Sequence, residues 1–404
     1  MLLVTVDRLP AWLLPLAGCT WVATPTLDGL AGRGLVLDRM LATSDDPLET
    51  LAGLAGRDGR EPAAAWPLVT AAAAAGWAPA LVTDDASLAA ACPAGAAVCH
   101  VPIAGPPRVA ATAADSHLGR LVAAAIGQLA AGPHRLLWCH SSSLGHAWDA
   151  PDEIRTAYLD PDDPTPPGGA AVPDLEVDAR TDPDLVMGLR QVFAGQVTLL
   201  DTCLGELLEA VEQRFDREPW TLIVAGVRGL PLGLHGRIGC GPLPPYAELI
   251  HLPAVLVDHR GRMAAQRYGG LTMPVDLGRT LLELLAGGPR CGPAAMMTGG
   301  ASDPRRGRSL VGLLENWRGP QRDRVLCRAT RGVSLTTPCW HLVRPETDAA
   351  SGTPQLYARP DDYFDACDVS DRSADVAEAL AAIAVLLETD PARAWTMPLP
   401  DGSA

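Results

Sequence analysis

Three short clusters of ionisable residues follow apolar runs: Asp7 and Arg8 after Leu2–Val6, Asp45 and Asp46 after Leu35–Leu41, and Asp84 and Asp85 after Ala80–Val82. Carboxylates gathered at the carboxyl ends of neighbouring strands can ligate a hard cation or serve as general acid and base. His140 and His146 in WCHSSSLGHAWDAP, together with His235, offer imidazoles for proton transfer, and Arg228 offers a guanidinium for an anion. Thr43 and Ser44 are hydroxyl nucleophiles only if a metal or base activates them. Each group also has a plainer reading. Asp46, before Pro47, stands where a residue caps a helix over Leu48–Gly56. Arg8 and Arg228 read either as partners for nearby carboxylates or as an anion-binding patch. His146 and His235 read as hydrogen-bonded side chains, and Cys240 as a loop filler against Leu234.

The elements that must position these groups alternate along the chain. Leu2–Val6 has the unbroken apolar character of a strand buried on both faces. Thr24 and Pro25 open a helix that stops at Gly34, and Leu35–Leu41 reads as the next strand. Further strands are predicted at Ala80–Val82, Arg135–Cys139, Trp220–Ala225 and Ala254–Val257, with helices over His117–Leu129 and Leu185–Arg214. This alternation predicts a layered α/β sheet. Between Asp149 and Asp184 the pattern breaks: eleven acidic residues against two Arg give −9, with repeated prolines, and the composition predicts an extended, solvated excursion. After a Gly-, Pro- and Arg-rich stretch near Gly288–Arg308, strand-like runs at Arg324–Arg328, Trp340–Val343 and Gln355–Ala358 precede a helix at Ser373–Leu387.

Composition narrows the chemistry. The 404 residues carry a net charge of −15, and all 32 basic residues are Arg, because the chain contains no Lys. A catalytic ammonium group is therefore excluded. An acidic chain without a basic run also lacks what phosphate neutralisation needs, so no nucleic-acid partner is expected. The ten cysteines show no C-x-x-C pair or metal-ligand spacing, which predicts free thiols in a reducing compartment. No apolar run reads as a membrane-spanning or signal segment, and a cytoplasmic location is expected.

Several segments, in order, resemble the sulfatases of the alkaline phosphatase superfamily. LLVTVDRLP (2–10) and TPTLDGLAGRGLVLDRMLATS (24–44) are similar to that family's first strand, helix and second strand. FAGQVTLLDTCLGELLEAVEQ (193–213), LIVAGVRG (222–229) and LHGRIGCGPLPPYAELIHLPAVLV (234–257) are similar to its later helix, metal-binding strand and following loop and strand. VDLGRTLLELLAG, GRSLVGLL, TTPCWHLVRP and QLYARPDD complete the series. The resemblance implies an alkaline phosphatase-like α/β/α sandwich with a mostly parallel central sheet, residues 1–318, and a small carboxyl-terminal α+β domain, residues 319–404. It also implies sulfuric ester hydrolysis by a formylglycine made from Cys or Ser, beside a calcium ion on four carboxylate or amide ligands.

Position by position, the matching residues depart from that chemistry. The first-strand Asp pair corresponds to Asp7 and Arg8, which leaves Asp7 as the single retained metal ligand. The nucleophile motif falls on Asp45, Asp46, Pro47, Leu48 and Glu49, with neither thiol nor hydroxyl at the formylglycine position. The Lys-bearing segment falls on Thr83, Asp84 and Asp85, the late Asp-His or Asp-Asn pair on Val227 and Arg228, and the distal Lys on Cys240. His146 and His235 stand where the family often has histidines. The expectation is thus a pseudoenzyme without a bound cofactor, with a role in binding a small-molecule or protein ligand. An active ester hydrolase with a rebuilt site of Asp7, Asp45 and Asp46 is the alternative.

Overall fold

The structure is a computed structural model and describes residues 1–58, 62, 65–216, 218–287, 306–316, 322–346 and 352–400. In chain order the strands of its main sheet are β1 (Leu2–Val6), β2 (Leu35–Leu41), β3 (Ala80–Thr83), β4 (Ala97–His100), β5 (Leu137–Ser141), β7 (Thr221–Gly226), β9 (His251–Leu252), β10 (Ala254–Asp258) and β11 (Gln266–Thr272). A two-stranded antiparallel ribbon of β6 (Leu175–Glu176) and β8 (Arg237–Ile238) stands apart from it. Among the described residues the main sheet has nine strands in the order β11-β2-β10-β7-β1-β5-β3-β4, with β9 pairing β2 beside that path. It is mostly parallel: β1 pairs in parallel with β5 and β7, and β3 with β4 and β5, while β10 runs antiparallel to β7 and β2.

Register decides what the strands can present together. Val6 lies opposite Ser141 and Gly226, and Thr83 opposite His140, so β1, β3, β5 and β7 end level with one another. The residues just beyond those ends are therefore neighbours although they come from four distant parts of the chain. This is the end at which open parallel sheets bind ligands.

The chain forms two compact units, neither continuous in sequence. The first comprises residues 1–38, 72–241 and 252–268, and the second 39–71, 242–251 and 269–404. The boundary expected between residues 318 and 319 lies outside the described residues.

In the first unit, α1 (Pro25–Arg33), α5 (His117–Ala131) and α7 (Pro183–Phe215) pack on the sheet. Leu27, Leu30, Leu121, Phe193 and Leu200 meet Val4 and Val6 in one core. Full burial of each such Leu contributes roughly 1.5–3 kcal/mol. Ser116 caps α5 by accepting from Gly119 N–H at 2.9 Å, and Asp182 caps α7 by accepting from Asp184 N–H at 3.0 Å.

The excursion predicted at 149–184 is folded at its base rather than extended. It carries α6 (Asp152–Arg155), and Arg155 is buried. The Arg155 guanidinium donates to the Trp148 carbonyl at 3.0 Å and the Pro167 carbonyl at 2.8 Å, while Trp148 N–H donates to Ala170 O at 2.8 Å. Composition misled here because one buried cation satisfies carbonyls on both arms of the loop.

The second unit contains α2 (Pro47–Leu54), α8 (Ala247–Ile250), α9 (Pro274–Leu285), α10 (Val311–Asn316), α11 (Ala374–Thr389) and α12 (Pro391–Ala394). Two further helices complete the series: α3 (Pro67–Ala74), at the junction of the units in sequence, and α4 (Ala86–Ala91) in the first unit. The carboxyl-terminal part of the second unit is an antiparallel sheet of β12 (Val325–Ala329), β13 (Gly332–Thr336), β14 (Trp340–Pro345) and β15 (Gln355–Ala358) in that order. Leu335, Leu342 and Leu356 of this sheet form a core with Leu380 and Ile383 of α11.

Candidate functional site

The level carboxyl ends of β1, β3, β5 and β7 gather Asp7, Arg8, Asp84, Ser141, Ser142 and Arg228 in the first unit. Asp7, only 4 % exposed, directly follows β1 and accepts from the Arg228 guanidinium. Arg228 Nε lies 2.9 Å from Asp7 Oδ1 and 3.1 Å from Oδ2, and Nη2 lies 3.0 Å from Oδ2. Both carboxylate oxygens are thus held by one side-on fork, the geometry that a guanidinium offers and an ammonium does not. Val227, fully buried, continues the β7 ladder through its N–H to Val6 O at 3.0 Å, which aims the next residue, Arg228, across to β1.

Arg8 is buried and adopts φ 63°, the left-handed region that non-glycine residues seldom occupy. Its Nε is 4.0 Å from Asp7 Oδ2, and its Nη2 donates to Cys240 O at 3.3 Å. Gly145 lies directly against the Arg8 stem: a Cβ on it would sit 3.2 Å from Arg8 Cγ. Cys240 is half-buried with Sγ 3.6 Å from Gly145 O, and burial raises its thiol pKa. That combination describes a packed thiol rather than a nucleophile.

Asp84 is satisfied by hydroxyls and backbone. Ser141 Oγ donates to its Oδ2 at 2.9 Å, while Ser142 N–H and Oγ donate to Oδ1 at 2.6 and 2.9 Å. Asp85 caps α4 by accepting from Ser87 and Leu88 N–H at 2.7 and 3.2 Å. His140 is fully buried in β5, its Nδ1 2.9 Å from Thr5 Oγ1, which also accepts from Trp138 Nε1 at 2.9 Å. Burial pushes the His140 pKa down, against the opposite pull of Asp84 and Asp7, which favours the neutral imidazole, and among the described residues its Nε2 has no hydrogen-bond partner.

Two of the remaining predicted residues lie in turns of the first unit. His146 is exposed in the turn after Ser143–Gly145, and His235 is half-buried in the turn before β8. Asp45 and Asp46 belong to the second unit. There Asp46 caps α2, its Oδ1 accepting from Leu48 N–H at 2.9 Å. Asp45 Oδ2 accepts from Thr330 N–H at 2.8 Å in the β12–β13 turn, and Glu49 pairs with Arg57 at 2.8 Å. The carboxylates at the nucleophile motif thus have structural work as a cap and a turn anchor.

Sequence reading missed a second buried network in the first unit. Asp149 accepts from His117 N–H at 2.8 Å, His117 Nδ1 at 2.6 Å and Gln196 Nε2 at 3.2 Å, while Gln196 Oε1 accepts from Ala150 N–H at 2.8 Å. Burial alone would raise the Asp149 pKa, but the hydrogen bonds from His117 and Gln196 outweigh it and hold the carboxyl below its ordinary value. The three residues are far apart in sequence, so no local pattern announces them.

The calcium ion that the sulfatase resemblance implies does not fit these residues. A hard dication needs six to eight oxygen ligands. Here both oxygens of Asp7 are taken by Arg228, both of Asp84 are taken by Ser141 and Ser142, and two guanidinium groups stand beside Asp7. Among the described residues, no group of three or more His, Cys, Asp or Glu side chains is arranged to hold a metal ion.

The sequence matches no protein-family model and no curated protein. The fold, by contrast, is shared across nearly the whole chain with solved enzymes. Phosphonate monoester hydrolase of Agrobacterium radiobacter superposes with a TM-score of 0.71 at 17% identity, over 97% of this chain and 95% of the enzyme. The phosphonate monoester hydrolase from Silicibacter pomeroyi gives 0.70 at 16%, over 97% and 94%. A 2-O GAG sulfatase gives 0.66 at 15%, over 98% and 92%. These neighbours are sulfatases and phosphonate monoester hydrolases of the alkaline phosphatase superfamily, and the chain has the alkaline phosphatase-like α/β fold with a carboxyl-terminal antiparallel sheet.

Proposed function

We propose that this chain is a sulfatase-fold pseudoenzyme: a protein without formylglycine-dependent ester hydrolysis that acts in the cytoplasm by binding a small-molecule or protein ligand. The observation that carries the reading is the Arg228–Asp7 pair, which commits the one carboxylate matching the family's metal ligands to an internal cation. The other changed positions add to it. Loss of one preorganised electrostatic group removes about 2.7–4 kcal/mol of transition-state stabilisation, roughly 10²- to 10³-fold in rate, and several are replaced here. General acid–base help from an imidazole supplies only about 10²- to 10⁴-fold. The rebuilt Asp-rich hydrolase is disfavoured because Asp46 and Asp45 are occupied as a helix cap and a turn anchor. The nine described cysteines are all free, in keeping with a reducing compartment.

The test is an assay on aryl sulfate, phosphate monoester and phosphonate monoester substrates with calcium, manganese or zinc added. The expected outcome is no turnover above the uncatalysed rate and no thermal stabilisation by any of the ions. Turnover that disappears in Asp7→Ala would overturn the proposal.

A further inference from the structure

Two carboxylates follow β1 and β3, the parallel strands on either side of β5, and they are neutralised in different ways. Asp84 is held by neutral donors alone, whereas the side chain of Asp7, among the described residues, takes hydrogen bonds only from a cation. A carboxylate so deeply buried requires a compensating charge when no hydroxyl or backbone N–H serves it. Arg8 supplies charge but no hydrogen bond to that carboxylate, since its Nε stays at an ion-pair distance of 4.0 Å and its Nη2 is directed to Cys240 O. Arg228 supplies both, reaching Asp7 from the end of another strand with a planar two-nitrogen edge, and its side chain is 22 % exposed, so the space it fills is open to solvent.

We propose that the carboxyl ends of β1 and β7 form a cation site whose cation is carried by the chain. Arg228 is its tethered occupant, and removing that side chain leaves at Asp7 a binding site for a free planar cation of the guanidinium class. The flat side-on edge selects a guanidinium over a spherical metal, because Asp7 alone cannot meet the oxygen demand of calcium. The inference rests on the same pair as the proposed function, but the two fail separately: turnover by the native chain would leave the cation site standing, and a failed rescue would leave the assay result standing.

The experiment compares thermal midpoints of the native chain, Arg228→Gly, and Arg228→Gly combined with Asp7→Asn. Each is measured with guanidinium or ethylguanidinium chloride at tens of millimolar, far below denaturing levels, and with matched sodium chloride, urea and calcium chloride. Arg228→Gly is expected to melt about 5 °C or more below the native chain. It should regain at least half of that loss with either guanidinium salt and none with sodium chloride, urea or calcium. The native chain and the double variant should gain nothing from any addition. Absence of a guanidinium-specific regain, a larger regain with calcium, or a regain that persists in the double variant would overturn the proposal. Should Arg228→Gly fail to fold unaided, its refolding yield with guanidinium against sodium chloride reads the same comparison, and Arg228→Lys, which keeps a cation without the fork, is expected to fold without any addition.

Discussion

A buried ion pair is an uncertain source of stability, yet breaking one side of it is costly, because the remaining charge is stranded. Asp7→Asn and Arg228→Gln should each destabilise the chain by about 1–3 kcal/mol, the lower figure being apt for the partly exposed arginine. The double substitution should cost less than the sum by at least about 1 kcal/mol, measured by urea unfolding in a double-mutant cycle. Additive losses would mean that the two residues do not act as a pair. Two other residues give the stability a pH dependence with a definite sign. His140 is held below the ordinary imidazole value of 6.5, so the unfolded chain binds the proton more readily. Stability should therefore fall as pH drops below about 6.5, and His140→Gln should flatten that part of the profile. Asp149 is depressed below the ordinary value of 3.8, so its contribution is complete above that pH and is lost as pH falls through the lowered value. Asp149→Asn should lower the plateau at neutral pH and remove that acid step.

Helix α7 contains Gly195 well inside its length, where glycine is ordinarily less stable than alanine by about 0.5–1 kcal/mol. Here the order reverses. A Cβ at Gly195 would lie 2.7 Å from Ile154 O and 2.8 Å from Arg155 Cα, because the backbone of α6 rests directly on α7. Gly195→Ala should thus destabilise the chain and raise protease cleavage within 149–170, while Gly127→Ala on α5, where a Cβ meets nothing within 4 Å, should stabilise it slightly. The core beneath the sheet holds a cavity of about 20 Å³ lined by Val4, Val6, Leu121, Val122, Cys139 and Leu204. Its apolar lining offers too few partners for a stable water, so added methylene should fill it. Val122→Ile should raise the unfolding free energy by about 0.5–1 kcal/mol, and a decrease would show that the void cannot accept the group.

Net charge is a property of the molecule as a whole. A chain of −15 without a single lysine should pass unretained through immobilised heparin or duplex DNA even at low ionic strength, and retention there would overturn the expectation of no nucleic-acid partner. Membrane association through a spanning helix has no candidate, since among the described residues no helix is long and apolar enough to cross a bilayer.

Sequence by itself determined most of the longer strands and helices but not β11 or α9, since apolar runs such as Leu2–Val6 and caps such as Asp46 act locally and fix an element's bounds within about two residues, β5 being shifted the most. It determined the types of residue at the strand ends as well, and with them the lack of lysine. Strands with weak local signals escaped it: β4 is largely exposed and β13 is defined by pairing on both sides. Only the tertiary structure decided which charges meet. The Arg228–Asp7 fork joins positions 221 residues apart, and the Asp84–Ser142 and Asp149–His117–Gln196 networks likewise cross between elements. The reason is physical: propensity and capping depend on neighbours along the chain, whereas the partner of a buried charge is set by strand order and register, which no local pattern encodes.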